Sequence, residues 1–75
     1  MLSQLRENDT GKRDPRLIRV QEVIDTTGLT RNQLYTQMRL GQFPRPVKIG
    51  LRATAWVWDE VSSWIASRIA KRDAQ

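Results

Sequence analysis

The stretch TGLTRNQLYTQMRLGQFP, from Thr27 to Pro44, leaves this chain few ways to fold. It predicts the end of one helix, a tight turn and a second short helix. Gly28 is the residue type that adopts the left-handed conformation after a helix end without a Cβ penalty. Two residues later Thr30 is suited to cap the next helix, its hydroxyl accepting a backbone N–H that the first turn leaves unpaired. In the second helix Leu34 and Met38 are four apart and share one face, while Asn32, Thr36 and Arg39 point the other way. Gly41 then ends this helix and Pro44 prevents its resumption.

The chain has 75 residues, enough for one small domain with a thin core. It has no cysteine and no histidine, so no disulfide or thiolate metal site staples it. No cofactor is implied. No apolar run resembles a signal peptide or approaches the roughly 20 residues needed to cross a bilayer, so a cytoplasmic location is expected.

The net charge of +5 is informative once divided along the chain. Before Arg31 the basic and acidic residues cancel, and they cancel again after Arg52. The whole excess therefore sits in Arg31, Arg39, Arg45, Lys48 and Arg52, a window without any acid. Charge serving only solubility would be scattered, whereas a phosphate footprint is local.

Taken in order, residues 1–15 hold too little apolar surface to offset the entropy of ordering and are expected to form a flexible arm. Lys12, Arg13 and Arg16 would be its basic contacts if it met DNA. Leu17 and Ile18 suggest a brief extended piece. Val20, Val23, Ile24 and Thr27 then mark one stripe of a first helix whose start has no capping residue. After the second helix, Pro44 and Pro46 push Phe43 and Arg45 into extended conformations. Val47 and Ile49 alternate with Lys48, Gly50 turns the chain, and Thr54 to Val57 form a second β-favouring run. The expected product is a two-stranded wing over residues 47–57, with Lys48 and Arg52 near its tip and Trp56 as its anchor. A last helix is expected from Asp59, with Val61, Trp64, Ile65 and Arg68 or Ile69 on one face, Trp64 being the largest buried side chain. Its first-turn acids and its closing Arg68, Lys71 and Arg72 match the helix dipole. Residues 73–75 are expected to fray. The fold class is α+β, mostly α, a compact winged helix-turn-helix over residues 16–72.

In this order, the segments TGLTRNQLY, GQFPRPVKIG and RATAW resemble the AlpA family of prophage regulators, over about Arg16 to Arg68. The family is similar to MerR-type and excisionase winged helices. The resemblance implies DNA binding by a small regulator of an integrated element, acting on an integrase or excision promoter. It assigns contacts to Thr30, Arg31 and Tyr35 in the second helix and to Arg52 in the wing. Thr36 stands where the family often has a basic residue, and Leu51 where a small residue or proline is common.

Combining these lines, the expected DNA-binding set is Thr30, Arg31, Asn32, Gln33, Tyr35, Thr36, Arg39, Lys48 and Arg52. The second helix, about 31–40, enters the major groove, and the wing lies on the backbone. Double-stranded DNA is the expected partner, with RNA polymerase or an integrase as protein partners and a nucleoid-associated, bacterial or phage-encoded setting. The free protein is expected to be a monomer that assembles cooperatively on DNA. An excisionase-type directionality factor bending attachment-site DNA is the alternative, and an adaptor binding an acidic protein is a second. An enzyme is not expected, because Asp59 and Glu60 are sequence neighbours that do not face each other on a helix, and no nucleophile, base or phosphate loop accompanies them.

Overall fold

The computed structural model describes residues 16–74; the expected N-terminal arm, with Lys12 and Arg13, lies outside the described residues. The elements run β1 (Leu17–Ile18), α1 (Val20–Thr27), α2 (Arg31–Arg39), β2 (Val47–Gly50), β3 (Ala53–Val57) and α3 (Trp58–Asp73). This is the α+β, mostly helical winged helix-turn-helix expected from the residue pattern.

The turn between α1 and α2 is built by the residue types that announced it. Gly28 adopts φ 79°, and its N–H bonds the Ile24 carbonyl at 2.9 Å. Thr27 staples the same corner: its hydroxyl donates to the Val23 carbonyl at 2.7 Å and accepts the Leu29 N–H at 3.2 Å. No side chain caps the start of α1 at Arg19. At the end of α2, Gly41 takes φ 72° and its N–H reaches the Met38 carbonyl, while the Gln42 N–H reaches the Gln37 carbonyl at 2.8 Å. Together these two bonds satisfy two of the carbonyls that a helix end leaves open.

Nothing lies within 4 Å of a Cβ built on Gly28, so crowding does not require glycine there. The left-handed φ does. Gly28→Ala is therefore expected to cost about 1–2 kcal/mol, the conformational penalty alone. Chemical denaturation checks this, and Gly28→Asn should recover part of the loss.

The sheet has three strands where the sequence pattern predicts a two-stranded wing. Its order is β1-β3-β2, antiparallel throughout, with Leu17 opposite Val57 and Ile18 opposite Trp56. Two residues carry no readable periodicity, so only the pairing identifies β1 as a strand. Its effect is to make β3 central and to bury Ile18 against it.

Strand β2 departs from simple alternation. Lys48 faces Thr54 and Gly50 faces Ala53, which leaves Ile49 as the extra residue of a β-bulge. Val47 and Ile49, expected to alternate with Lys48, are both exposed on this edge strand.

The core consists of Ile18, Val23, Leu34, Phe43, Trp56 and Val61, with Val20, Ile24, Leu29, Met38, Trp58, Trp64 and Ile65 packed around it. Trp56, not Trp64, is its largest buried side chain, at 1% exposure. Trp64 is half-buried because its indole N–H reaches out to the Gln42 carbonyl at 2.8 Å. Its ring meets buried Phe43 edge-on, with centroids 4.9 Å apart. Phe43, placed by the sequence only in an extended linker, is a core residue.

Helix α3 begins at Trp58, one residue before the expected Asp59. Its first N–H is satisfied by the residue just before β1, through the Arg16 carbonyl at 2.8 Å. The Arg16 guanidinium also lies 5.0 Å from the centre of the Trp58 ring. Asp59 and Glu60 occupy the first turn, Lys71 and Arg72 the last, and Arg72 pairs with Asp73 at 2.9 Å.

Candidate nucleic-acid interface

Helix α2 starts at a reciprocal cap. The Thr30 hydroxyl accepts the Gln33 N–H at 3.1 Å, and the Gln33 side-chain oxygen accepts the Thr30 N–H at 2.9 Å. This arrangement pairs donors on both sides of the helix start. It also occupies the acceptor sides of Thr30 and Gln33, leaving the hydroxyl proton and the amide NH₂ to donate outward. Gln33 thus has a structural duty that its place in the expected contact set did not reveal.

Beyond the cap, Arg31, Asn32, Tyr35 and Arg39 are exposed, Tyr35 by 43%, whereas Thr36 is half-buried. Leu34 turns inward and is fully buried. The side chains of Arg31, Asn32, Arg39, Lys48 and Arg52 have no hydrogen bond or ion pair among the described residues. Their charges and donors are therefore presented to solvent. Side chains of these types hydrogen-bond base edges and phosphates.

The wing carries two further cations. Lys48 lies exposed on β2, and Arg52 lies exposed at the tip next to Leu51, which is 90% exposed. The fold thus gathers α2 and the wing tip, separate in sequence, onto one framework fixed by Leu34 and Trp56 in the common core.

One holding contact was hidden in the sequence. Arg68, read there as a complement to the α3 dipole or a member of its stripe, reaches from α3 to the Gln37 side-chain oxygen on α2 at 3.3 Å. Its guanidinium stacks over Trp64, 5.0 Å from the ring centre. It ties the closing helix to α2, and no spacing rule connects residues so far apart in the chain.

Residues 16–69 match a family model described as prophage CP4-57 regulatory protein (AlpA). The chain belongs to the AlpA family of prophage regulatory proteins. The matched stretch begins just before β1 and ends within α3, so it covers every element of the fold except the last turn of α3. A relative in Enterobacteria phage P4, the uncharacterized protein ORF88, is 44% identical over 57 residues. That similarity covers 76% of this chain and 65% of the phage protein's length. No helix among the described residues is long and apolar enough to cross a membrane.

Proposed function

We propose that this AlpA-family protein is a sequence-specific double-stranded DNA-binding regulator of an integrase or excision gene in an integrated prophage or genomic island. In this reading α2 lies in the major groove, with Arg31, Asn32, Tyr35, Thr36 and Arg39 toward the DNA. Thr30 and Gln33 sit at its entrance, and Lys48 and Arg52 hold the backbone. The observation that carries the proposal is that Arg31, Asn32 and Arg39 of α2 and Lys48 and Arg52 of the wing are all exposed with side chains engaged by no other described residue. The same basic window would attract an acidic protein, but an adaptor needs no exposed Asn32 next to Arg31 on a helix of groove-fitting width.

Positioning and reading should separate by mutation. Arg52→Ala is expected to weaken binding to all sequences alike, since a phosphate contact carries no base information. Asn32→Ala is expected to change which bases a selected-site experiment recovers, with a cost of about 1–3 kcal/mol on the preferred site. Thr36→Ala should do the same more weakly, because Thr36 is half-buried. An unchanged site profile for Asn32→Ala alongside a reshaped one for Arg52→Ala would reverse these roles.

A single module of this kind buries roughly 600–1,000 Å² of protein surface on DNA and discriminates poorly alone. The proposal therefore includes a monomer in free solution that binds closely spaced sites cooperatively and bends the DNA between them. Such an assembly suits a promoter served by RNA polymerase, and equally an attachment site served by an integrase, where the protein would act as a directionality factor. Sedimentation of the free protein, and gel shifts on DNA with one site or several, test it. A stable dimer in solution, or full affinity without bending on a lone site, would refute cooperative assembly. Footprints on promoter against attachment-site DNA distinguish the two roles.

A further inference from the structure

The segment Gln42–Pro46, between α2 and the wing, belongs to no helix or strand, yet it is held as firmly as one. The Gln42 carbonyl accepts the Trp64 indole N–H at 2.8 Å, and the Pro44 carbonyl accepts the Trp56 indole N–H at 3.1 Å. Phe43 between them is buried, at 4% exposure. Pro44 and Pro46 fix the backbone dihedral on either side of Arg45. The one long side chain so framed, Arg45, is left exposed. A loop with this much anchoring presents its charge at a fixed place, which lowers the ordering cost of any contact that charge makes.

Arg45 lines an open groove with Tyr35, Met38 and Arg39 of α2 and with Pro46. No carboxylate lines it, and Arg45 and Arg39 carry no hydrogen bond or ion pair among the described residues. Two guanidinium groups and a phenol hydroxyl thus border one crease, all of them hydrogen-bond donors and none neutralised. Two like charges along one groove raise the local potential, and an anion relieves it. The crease lies between the recognition helix and the linker that leads into the wing.

We propose that Arg45 and Arg39, with the Tyr35 hydroxyl, form a clamp for the DNA phosphodiester backbone in the crease between α2 and the linker that carries Arg45. This rests on the DNA-binding reading above and adds to it Arg45, which neither the resemblance nor the spacing of the recognition helix singles out. Guanidinium groups suit the task because they offer paired donors to phosphate oxygens. Pinning by the two tryptophans gives the clamp its register relative to α2.

On its other side Arg45 borders a second groove, with Pro44, Asp59, Glu60 and Ser63. The competing role is thus an intramolecular partner for the acids that open α3. The experiment separates the two.

Binding of the full chain to a mixed-sequence DNA duplex is measured across a salt series, with thermal melts in parallel. Arg45→Gln is expected to reduce the log–log salt slope by about 0.9 and to weaken binding about 5- to 10-fold near 0.1 M salt, with an unchanged melt. Arg39→Gln should match it, the double variant should lose about 1.8 of slope, and Arg45→Lys should restore the charge-dependent part. Arg72→Gln, whose guanidinium already pairs with Asp73, controls for net charge and should leave the slope unchanged. A wild-type slope that Arg45→Gln leaves intact overturns the clamp alone, and a lowered melt in that variant then assigns Arg45 to Asp59 and Glu60. A slope lowered equally by Arg72→Gln also overturns it, as an effect of overall charge. Failure of the wild type to bind duplex DNA with any salt dependence overturns the DNA reading itself.

Discussion

Trp56→Ala is expected to abolish the folded state. Trp56 lies on the central strand, is 1% exposed, and packs in one cluster with Ile18, Val23, Leu34, Phe43 and Val61. Truncating a buried tryptophan to alanine costs about 3–5 kcal/mol. Small domains are stable by only about 0.05–0.15 kcal/mol per residue, so the loss takes most of the total. The indole also donates to the Pro44 carbonyl at 3.1 Å, so its removal frees the linker that carries Arg45. Trp56→Phe keeps most of the apolar volume and removes only the donor, and should cost far less. Trp64→Ala, half-buried and at the edge of the core, should fall between them. Far-UV circular dichroism melts give the ordering directly. A cooperative Trp56→Ala melt near wild type, or a larger loss for Trp64→Ala, would show that the core is organised differently.

The triple variant Arg31→Ala, Lys48→Ala, Arg52→Ala should lose about 100- to 1,000-fold in affinity for duplex DNA near 0.1 M salt and about 2.7 of log–log salt slope. Each phosphate contact contributes about 0.9 to that slope through counterion release. All three side chains are exposed and carry no hydrogen bond or ion pair among the described residues, so the folded state loses little when they go. The melt of the triple variant should therefore stay close to wild type while binding collapses. That contrast with Trp56→Ala, where binding and folding fail together, distinguishes an interface from a core. Fluorescence anisotropy on a labelled duplex measures the first, and the same melts measure the second. An unaltered slope would remove the wing and the start of α2 from the interface.

Much of this molecule was legible because its signals are local. A left-handed Gly28, a capping Thr30 and a terminating Gly41 act within a few residues of themselves, so their types announce the helix-turn-helix directly. The stripe that buries Val23 and the inward Leu34 follow from helical periodicity. The acid-free window from Arg31 to Arg52 is a property of the chain as written.

What the chain alone did not decide are the choices made by contacts between distant segments. Leu17 and Ile18 become a strand only because Val57 and Trp56 offer them partners. Trp56 and Trp64 look equally apolar in the sequence. The first is central because β1 flanks its strand on one side and β2 on the other, while the second is drawn to the rim by the Gln42 carbonyl. Phe43 enters the core, and Arg45 is set in a crease with Tyr35 and Arg39, because two indole N–H groups bond the carbonyls on either side of Phe43. Hydrogen-bond demand from a buried or half-buried indole has no sequence period. Its acceptor is chosen by packing, and packing exists only once the chain has closed on itself.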